Sequence, residues 1–325
     1  MAAGGRSPEL VVFGEFYLDL VFCRLRAAPA WGAEVRAEEY AEAPGGGVAT
    51  TALAAHRLGT RAGLVTRVGP DAAAHPAWKQ LRAAGIDLTA TEIRAGAKTA
   101  RSACIAFGGD RMIVTEDAVN RDLEALLRRP TVRTMLRRAR HVHFACGLWQ
   151  PERIGPVLED LARRGTTASA DTGWNPQTLS LDHLRPLLPR LDMLLPNAQE
   201  AERLTGEADA ERACLRLAAL VRWPVVKCGA QGSVMAARDA AGRVQLLRMP
   251  ARRTRVVDTT GAGDAFNGGF LHAYLRGWSW KECLRLGNLC GSRAAAAAGG
   301  AAGLADLTRE DGRNRGRWRQ REARA

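Results

Sequence analysis

The sequence predicts an α/β fold with a mostly parallel central sheet and a small second sheet. Short apolar runs that read as β-strands alternate along the chain with longer helical patterns, which is typical of βαβ units. Two separate segments break this alternation and show the period-two pattern of antiparallel strands. The chain has 325 residues and a hydrophobic fraction of 46%, so it is long enough to bury a sizeable core.

The main elements follow in chain order. Strands are predicted at residues 10–13, 62–65, 141–144, 167–170, 193–195 and 225–227. Helices are predicted at residues 49–58, 77–84, 152–164, 199–204 and 210–221. Parallel strands that are buried on both faces read as continuous apolar runs, so these elements predict a sheet covered by helices on both sides.

The two segments with the antiparallel pattern are residues 16–42 and 98–118, with a Gly-Gly-Asp turn at 108–110. A small sheet built from them would project from the main domain as a lid. We therefore expect a single domain at residues 9–307, a disordered start at residues 1–8, and a basic, disordered tail at residues 308–325.

The charge of the chain is high but dispersed. The formal net charge is +13, and the basic residues are scattered arginines except in the tail RNRGRWRQREARA. Nucleic-acid binding requires a clustered basic patch, so no specific nucleic-acid partner is expected. An arginine-rich nucleic-acid binder remains an alternative that the tail would carry.

Cysteine spacing and hydropathy point to a cytoplasmic protein. The seven cysteines form no CxxC pair and no zinc-ligand spacing, which predicts buried, reduced thiols. No apolar stretch of about 18 residues is present, so no membrane partner is expected.

The stretch VVDTTGAGDAFNGGFL, at residues 256–271, carries the strongest functional signal. A strand at 254–257, a turn of small residues and a helix would let backbone N–H groups converge on an anion such as phosphate. Asp264 beside such a site could accept a proton from an attacking hydroxyl. The alternative is that Asp264 only caps the helix. Gly268 and Gly269 lie inside the helix, where glycine is unfavourable, so they indicate that another group packs closely against that face. A simple cap would not require this.

DTTGAGDAFNGGF resembles the C-terminal signature of the ribokinase-like carbohydrate kinases of the PfkB family, and the similarity extends over about residues 8–307. The resemblance implies a ribokinase-like three-layer α/β/α domain with a mostly parallel central sheet and a small β-sheet lid. It also implies an ATP-dependent sugar kinase, which transfers the γ-phosphoryl group of ATP to a hydroxyl of a small carbohydrate. A homodimer would be expected as well.

The resemblance assigns roles to residues of the turn. Asp264 would be the general base, and the anion hole would be formed by the amides of Gly261, Ala262 and Gly263. Asp258 and Thr260 would lie at a site for a monovalent cation, with K⁺ as the candidate.

The stretch PGGGVATTALAAHRLG, at residues 44–59, resembles the glycine motif that meets the sugar in this family. Asp19, in FGEFYLDL, matches the aspartate that holds sugar hydroxyls through its two acceptor oxygens. Thr50 stands where the family usually has asparagine, and Arg101 and Arg111 are further candidates for specificity. The substrate-binding residues implied are Asp19, Gly45, Gly46, Gly47 and Thr50.

LLPNAQEAERLTG matches the N-x-x-E element of the family and supplies Asn197 and Glu200. A strand end followed by a helix start places both at the carboxyl edge of the sheet, where hard oxygen ligands suit Mg²⁺ held through water. The alternative is a capping arrangement on a surface helix. VVKCGAQGS and LRLGNLCGSRAAAAAGGAAGL resemble the nucleotide pocket and imply ATP contacts from Lys227, Gly229, Asn288 and Gly300.

Other residues give weaker signals. Asp171, in SADTGWNP, would lie near the active site, although Gly173 replaces the commoner asparagine. His141 and His143 face the same side of a strand, but two ligands without a third favour a half-buried, hydrogen-bonded pair over a metal site. Four tryptophans are not interleaved with basic residues, so core or sugar-stacking roles are expected for Trp149, Trp174, Trp278 and Trp280.

Two other functions remain open within this fold. One is a nucleoside or keto-sugar-acid kinase, and the other is a nucleotide- or sugar-binding sensor without turnover. The intact GAGD and N-x-x-E elements count against the sensor, which has no need of a base. A Walker-type kinase is excluded because the sequence contains no GxxxxGK[ST] motif.

Overall fold

The computed structural model describes residues 7–108, 110–145, 150–173, 178–239, 241–308 and 311, with the backbone alone at 110 and 111. Several features of the sequence lie outside these residues: most of the predicted start and tail, Gly109 of the predicted turn, Trp149 and Trp174.

The described residues contain sheets of eight, four and two strands. The strands in chain order are β1 Leu10–Gly14, β2 Tyr17–Leu25, β3 Ala37–Gly45, β4 Ala62–Val65, β5 Arg67–Val68, β6 Glu92–Ile93, β7 Arg101–Phe107, β8 Asp110–Glu116, β9 His141–Ala145, β10 Thr167–Asp171, β11 Met193–Leu194, β12 Trp223–Lys227, β13 Ser233–Arg238 and β14 Val244–Met249.

The eight-stranded sheet has the order β14-β13-β12-β11-β10-β9-β1-β4. The pairs from β12 to β4 are parallel, and β13 and β14 join the edge as antiparallel strands. The prediction of a mostly parallel central sheet is therefore confirmed. Because every parallel strand points the same way, their carboxyl ends meet at a single edge, where ligands bind in open α/β folds.

Helices cover both faces of this sheet. The helices are α1 Gly46–Arg57, α2 Pro76–Ala84, α3 Pro130–Arg138, α4 Pro151–Arg163, α5 Leu181–Leu184, α6 Ala198–Thr205, α7 Ala210–Leu217, α8 Ala262–Leu275 and α9 Trp280–Ala295. Alternate strand residues divide the core: Val12 packs with α1, α8 and α9, whereas Phe13 packs with α3, α4, α6 and α7. The three-layer α/β/α architecture is thus confirmed.

The two segments with the alternating pattern do form a separate small sheet, of order β3-β2-β7-β8. The outer pairs are antiparallel as expected, but the central pair β2–β7 is parallel. The chain leaves this sheet after β3 and passes through α1, β4 and α2 before it returns. It therefore enters β7 from the same end as β2.

The predicted strand at 254–257 is wrong. Residues 250–257 follow β14 as an irregular segment whose side chains are mostly exposed. The amide of Val257 donates to the carbonyl of Ala295 at the end of α9, at 2.8 Å, rather than to a strand. The short apolar run was misread because β14 already ends the sheet at that edge, so no strand is available for pairing.

The remaining features concern cysteines and hydropathy. The described cysteines form no disulfide, and all are buried except Cys228, which is half-buried. No helix in the described part of the chain has the length and apolar character needed to cross a bilayer.

Candidate active site

The turn before α8 is shaped by Gly261. Gly261 precedes the helix with φ +71°, a left-handed conformation that favours glycine, and no side chain caps this helix start. A β-carbon at position 261 would lie 3.3 Å from Thr50 Oγ1 and 3.4 Å from the Gly300 Cα. Of the three predicted anion-hole amides, that of Ala262 already donates to the carbonyl of Thr259, at 3.2 Å.

Asp264 lies inside the first turn of α8 rather than at its cap. A β-carbon at Gly47 would be 3.1 Å from Asp264 Oδ1, so the carboxylate lies directly against the glycine motif. The Thr51 hydroxyl donates to the main-chain oxygen of Asp264 at 3.0 Å. The starts of α1 and α8 are therefore held together, and this contact brings the predicted base to the predicted sugar loop.

Gly268 and Gly269 do mark a close approach, but the neighbours are helices rather than a ligand. A β-carbon at Gly268 would lie 2.6 Å from the Ala54 Cβ of α1, and one at Gly269 would lie 2.6 Å from the Cys290 Sγ of α9. Small residues here let α1 and α9 pack closely against α8 and so fix the position of its N-terminus.

Asp19 is buried in β2 and faces the same loop. A β-carbon at Gly45 would overlap its carboxyl group, which explains why glycine stands there. The pKa of Asp19 is raised to about 7, mainly by burial and then by the charges of Asp264 and Asp258, while a hydrogen bond from Ser102 opposes the rise. The carboxylates of Asp258 and Asp264 therefore lie close enough to Asp19 to oppose its ionisation.

Asp258 joins the turn to the loop after α9. Its Oδ1 accepts the Thr260 amide at 2.9 Å, and its Oδ2 accepts the Gly299 amide at 3.0 Å. A β-carbon at Gly300 would lie 2.5 Å from the Thr260 carbonyl oxygen. Within the described residues, the buried Thr260 hydroxyl has no hydrogen-bond partner.

A buried ion pair lies beneath the turn. Lys227 Nζ is 2.6 Å from Asp171 Oδ2 and 3.3 Å from Asn267 Oδ1, and Asn267 Nδ2 donates to Asp171 Oδ2 at 2.6 Å. Burial opposes both charges, but the mutual attraction prevails, so the pKa of Asp171 is lowered and that of Lys227 is raised. A β-carbon at Gly263 would lie 3.4 Å from Lys227 Nζ, which places this cation beside one of the three residues of the predicted anion hole.

Asn197 and Glu200 form a capping box at the start of α6. Glu200 Oε2 also accepts the hydroxyl of Thr172, at 2.7 Å. The capping alternative is therefore realised, yet Glu200 is buried at the sheet edge rather than on a surface helix. Its pKa is raised by burial and by the charge of Asp171.

The remaining nucleotide candidates lie further along the same edge. Gly229 has φ +54° in the turn after β12, with open space around its Cα. Asn288 Nδ2 donates to the carbonyls of Met249 and Pro250, at 2.9 and 3.1 Å, so its amide holds the end of β14 against α9.

The histidine pair is fully buried, which corrects the half-buried expectation. His141 bonds Thr167 and Ser169, and His143 bonds Ser169, all at 2.7–2.8 Å. Burial lowers the pKa of His141 to about 3 and that of His143 to about 4, so both are neutral at pH 7. The described residues contain no cluster of three or more ligands able to hold a metal ion.

Sequence reasoning missed Ser102 and Asn267. Strand register pairs Ser102 with Asp19, whereas Arg101 pairs with Leu18 on the opposite face and binds Asp71 at 2.8 Å. The side chain of Arg111 lies outside the described residues. Asn267 stands inside the quoted signature, but its partner Asp171 is distant in sequence, and the signature alone does not reveal the contact.

The α/β/α sandwich, with a glycine turn at the start of α8 and a buried aspartate nearby, is the architecture of a class of small-molecule kinases. The chain is a member of the pfkB family of carbohydrate kinases, whose family model matches residues 7–306.

Relatives of known name include sugar and nucleoside kinases. The chain is 29% identical to a cytidine kinase of Thermococcus kodakarensis over 75% of this chain and 84% of that protein. It is 28% identical to a ribokinase of Haemophilus influenzae over 79% of this chain and 82% of that protein. A match to an uncharacterized sugar kinase of Archaeoglobus fulgidus, at 36% identity, covers 42% of this chain and only 53% of that protein.

Solved structures show the same fold. A nucleoside kinase of Methanocaldococcus jannaschii has a TM-score of 0.77 at 22% identity and covers 95% of this chain and 98% of its own. The Arabidopsis thaliana ribokinase complexed with ribose and ATP has a TM-score of 0.75 at 23% identity, covering 94% and 97%. A ribokinase II of E. coli in complex with ATP and Mg²⁺ has a TM-score of 0.75 at 20% identity, covering 92% and 96%.

Proposed function

We propose that the protein is an ATP-dependent kinase that transfers the γ-phosphoryl group of ATP to a hydroxyl of a small carbohydrate. The observation that carries the proposal is the convergence of Asp264, Asp19 and the glycine loop at the start of α8. Gly45 adjoins Asp19 and Gly47 adjoins Asp264, so an acceptor seated on this loop would meet both carboxylates.

Asp19 and Asp264 would have different roles in the reaction. Asp19 would accept hydrogen bonds from acceptor hydroxyls, and Asp264 would take the proton of the attacking hydroxyl as general base. The amides of Gly261, Ala262 and Gly263, at the positive end of the α8 dipole, would stabilise the charge that develops during transfer. The Lys227 ammonium beside Gly263 adds a fixed positive charge at this point.

ATP bound with Mg²⁺ supplies the transferable phosphoryl group in kinases of this kind. Lys227, Gly229, Asn288 and Gly300 would contact the nucleotide. Asn197 and Glu200 would hold magnesium through water. The capping box engages Asn197 Oδ1 and Glu200 Oε2, which leaves Glu200 Oε1 and the second lone pair of Asn197 Oδ1 for waters of the hydrated ion. Glu200 is buried beside Asp171, and the negative charge of Asp171 raises the pKa of Glu200. A divalent cation bound here would offset this repulsion between the two carboxylates.

Asp258 and Thr260 would hold a monovalent cation, for which K⁺ is the proposal. The buried Thr260 hydroxyl has no partner within the described part of the chain, and the Asp258 carboxylate adjoins it. A hard cation at this position would use both groups, and it would hold the turn in shape for the anion hole.

Three alternatives remain: two concern the acceptor, and one concerns turnover. The similarity to a cytidine kinase over most of the chain favours a nucleoside kinase as the second candidate. A keto-sugar-acid kinase finds support in the match to a 2-dehydro-3-deoxygluconokinase of Haemophilus influenzae, which covers 40% of this chain. A sensor without turnover is disfavoured because it would have no need of Asp264 as a base.

The small sheet would act as a lid and as a dimer interface. Asp19 lies on its inner face, so closure over the acceptor would exclude water from the transfer. Its outer face exposes Tyr40, Phe107, Met112 and Val114. An apolar face of this kind is typical of an interaction surface, and we propose that a second copy of the chain covers it.

The test is ADP release from Mg·ATP with a panel of sugars, sugar acids and nucleosides, with and without K⁺. Asp264→Asn should lose about 10²–10⁴-fold in turnover while it still binds ATP. Asp306→Asn, which alters an exposed carboxylate, is the matched control and should keep full activity. Acceptor-dependent release that survives in Asp264→Asn would contradict the assignment of the base.

A further inference from the structure

A cavity lies where the hairpin of β7 and β8, here called the lid hairpin, joins the main domain. Its volume is about 460 Å³, which suits a small-molecule ligand. One wall is the segment 94–98, which leads into β7, and the other is formed by Glu116, Ala118 and Val119, where the chain leaves β8. None of the residues proposed to contact the acceptor or the nucleotide lines this hinge cavity.

The main domain holds both walls of the hinge cavity. The amide of Arg94 donates to the carbonyl of Val68 at 2.8 Å. On the other wall, the guanidinium of Arg67 donates to the carbonyl of Val119 at 3.2 Å. The chain enters the lid hairpin through the first wall and leaves it through the second. A ligand that bridges the two walls would therefore join the entry and the exit of the hairpin and oppose its movement.

The first wall presents two cations. A tight turn is closed by a hydrogen bond from the Ala97 amide to the Arg94 carbonyl, at 3.3 Å, with Gly96 at φ +76°. Arg94 and Lys98 flank this turn and both line the cavity. Within the described part of the chain, neither of them forms an ion pair.

The carboxylates nearest to this wall are already occupied. Asp71 binds Arg101 at 2.8 Å. Glu92 binds both Arg67 and Arg129. The two cations of the hinge cavity therefore remain available to a ligand. A guanidinium together with an ammonium suits an anion with several oxygens, of which phosphate is the common example.

The second wall offers an acceptor of hydrogen bonds. Glu116 Oε1 accepts the amide of Ala118 at 3.1 Å, and its other carboxylate oxygen makes no hydrogen bond among the described residues. A carboxylate here would repel a second negative group of a ligand but would accept the hydrogens of hydroxyl groups. The two walls thus match a ligand with a phosphate at one end and hydroxyl groups at the other.

We propose that the hinge cavity is a second binding site, which takes the phosphate monoester of a polyhydroxy compound and thereby restrains the lid. Arg94 and Lys98 bind the phosphate, and Glu116 accepts from the hydroxyl groups. A compound of this class is what the proposed kinase would release, so the regulatory part of this inference rests on the proposed function. Product bound in the hinge cavity would slow the next closure of the lid.

Hydrogen–deuterium exchange on the full chain locates the site without any turnover. The probe is D-ribose 5-phosphate, and D-ribose is its uncharged control. The phosphate ester should protect the amides of residues 94–98 and 116–119, whereas D-ribose should leave them unprotected. Protection confined to residues 45–50 and 258–264 would show that the ester binds only as a reaction product at the proposed acceptor site, and this result would overturn the inference.

A double variant assigns the binding to the two cations. The concentration dependence of the hinge protection gives a Kd, and Arg94→Gln combined with Lys98→Gln should raise it at least about tenfold, because each change removes a charge-assisted contact. Arg133→Gln combined with Arg138→Gln removes two exposed arginines of α3 and should leave the Kd unchanged. Equal losses in the two double variants would reduce the effect to net charge and refute the site.

Glu116→Gln tests the hydroxyl end of the site. This change should raise the Kd of D-ribose 5-phosphate at least about threefold, because a carboxylate is the stronger acceptor. It should not weaken the binding of inorganic phosphate, which carries no sugar hydroxyl groups. An unchanged Kd for the ester would contradict the assignment of a polyhydroxy ligand.

Turnover tests the restraint on the lid. D-Ribose 5-phosphate should inhibit the reaction without competing with ATP, and the Arg94→Gln, Lys98→Gln variant should lose this inhibition while it keeps its uninhibited kcat. Inhibition that persists in the variant would overturn the coupling. Hinge protection in a protein that phosphorylates no acceptor would sustain the site and remove the proposed function, whereas turnover without hinge protection would do the reverse.

Discussion

Lys227 Nζ lies 2.6 Å from Asp171 Oδ2, and both side chains are buried. The pair joins the ends of β10 and β12 beneath the first turn of α8, and Asn267 of α8 bonds both partners. Buried charges are stable only when they are paired, so these groups act as a unit that holds two strand ends and one helix in register.

Removing one partner of this pair should be costly. Lys227→Met or Asp171→Leu is expected to lower the free energy of unfolding by about 3–5 kcal/mol, because each leaves an uncompensated buried group. The double change Lys227→Met with Asp171→Leu should cost less than the sum of the single changes. Urea unfolding of the four proteins measures this coupling, and additive costs would show that the pair does not act as a unit.

Asp19 should make the stability of the fold fall as pH rises. Its folded-state pKa of about 7 exceeds the ordinary 3.8, so the folded chain retains a proton that the unfolded chain releases. The stabilisation is full below pH 4 and is lost as pH rises through 7. Asp19→Asn should therefore be more stable than the natural protein at pH 8, by roughly 2–4 kcal/mol, and nearly equal to it at pH 4.

Urea unfolding at pH 4, 6 and 8 tests this expectation. The same variant should bind the acceptor weakly, since the amide offers only a single acceptor oxygen where the carboxylate offers two. A stability difference that does not change with pH would contradict the burial-driven shift.

Gly47→Ala should damage catalysis more than folding. The new β-carbon would lie 2.9 Å from the Ala145 Cβ and 3.1 Å from Asp264 Oδ1, so the carboxylate must shift. A displacement of about 1 Å at a reacting group costs on the order of 10²-fold in rate, and kcat should fall by that order while ATP binding is retained.

Gly155→Ala is the matched control for this substitution. Position 155 lies inside α4, and the nearest atom to its β-carbon would be 3.9 Å away. The change should leave kcat unaltered and stabilise the fold by roughly 0.5–1 kcal/mol. Equal losses of kcat in the two variants would show that the effect of Gly47→Ala does not come from its contact with Asp264.

A charge on the outer face of the small sheet should dissociate the proposed dimer. Val114 is 62% exposed there, and Val114→Lys would force an ammonium group into the interface. Analytical ultracentrifugation should give twice the 35.0 kDa chain mass for the natural protein and the single mass for the variant. Val244→Lys, on β14 of the main sheet, should stay dimeric; a monomeric natural protein would refute the assembly.

The sequence predicted the elements of the main domain better than the contacts between them. Periodicity located the parallel strands, and the signature located Asp264, because both are local patterns. The pairing of Asp171 with Asn267 depends on a strand end and a helix that are far apart in the chain, and no local pattern encodes it. Helix α3 was missed because its exposed face is arginine-rich and only Val132, Met135 and Leu136 are buried.

Strand register limited the prediction of the acceptor site. Whether Arg101 or Ser102 is the neighbour of Asp19 depends on the register of β7 against β2. A register shift of one residue would move every side chain of β7 to the opposite face of the sheet. The shift follows from how β7 meets β2, a contact between segments about 80 residues apart in sequence, which local reasoning does not reach.

The small sheet rests on its own buried cluster of Val21, Cys23 and Cys104, separate from the two clusters that enclose the main sheet. Strands β7 and β8 contribute no residue to those two clusters, so substitutions there can accumulate without disturbing the packing that presents Asp264. Such a division favours evolutionary change of one kind: a lineage can exchange one acceptor for another by altering two strands, while the machinery proposed for phosphoryl transfer is inherited intact.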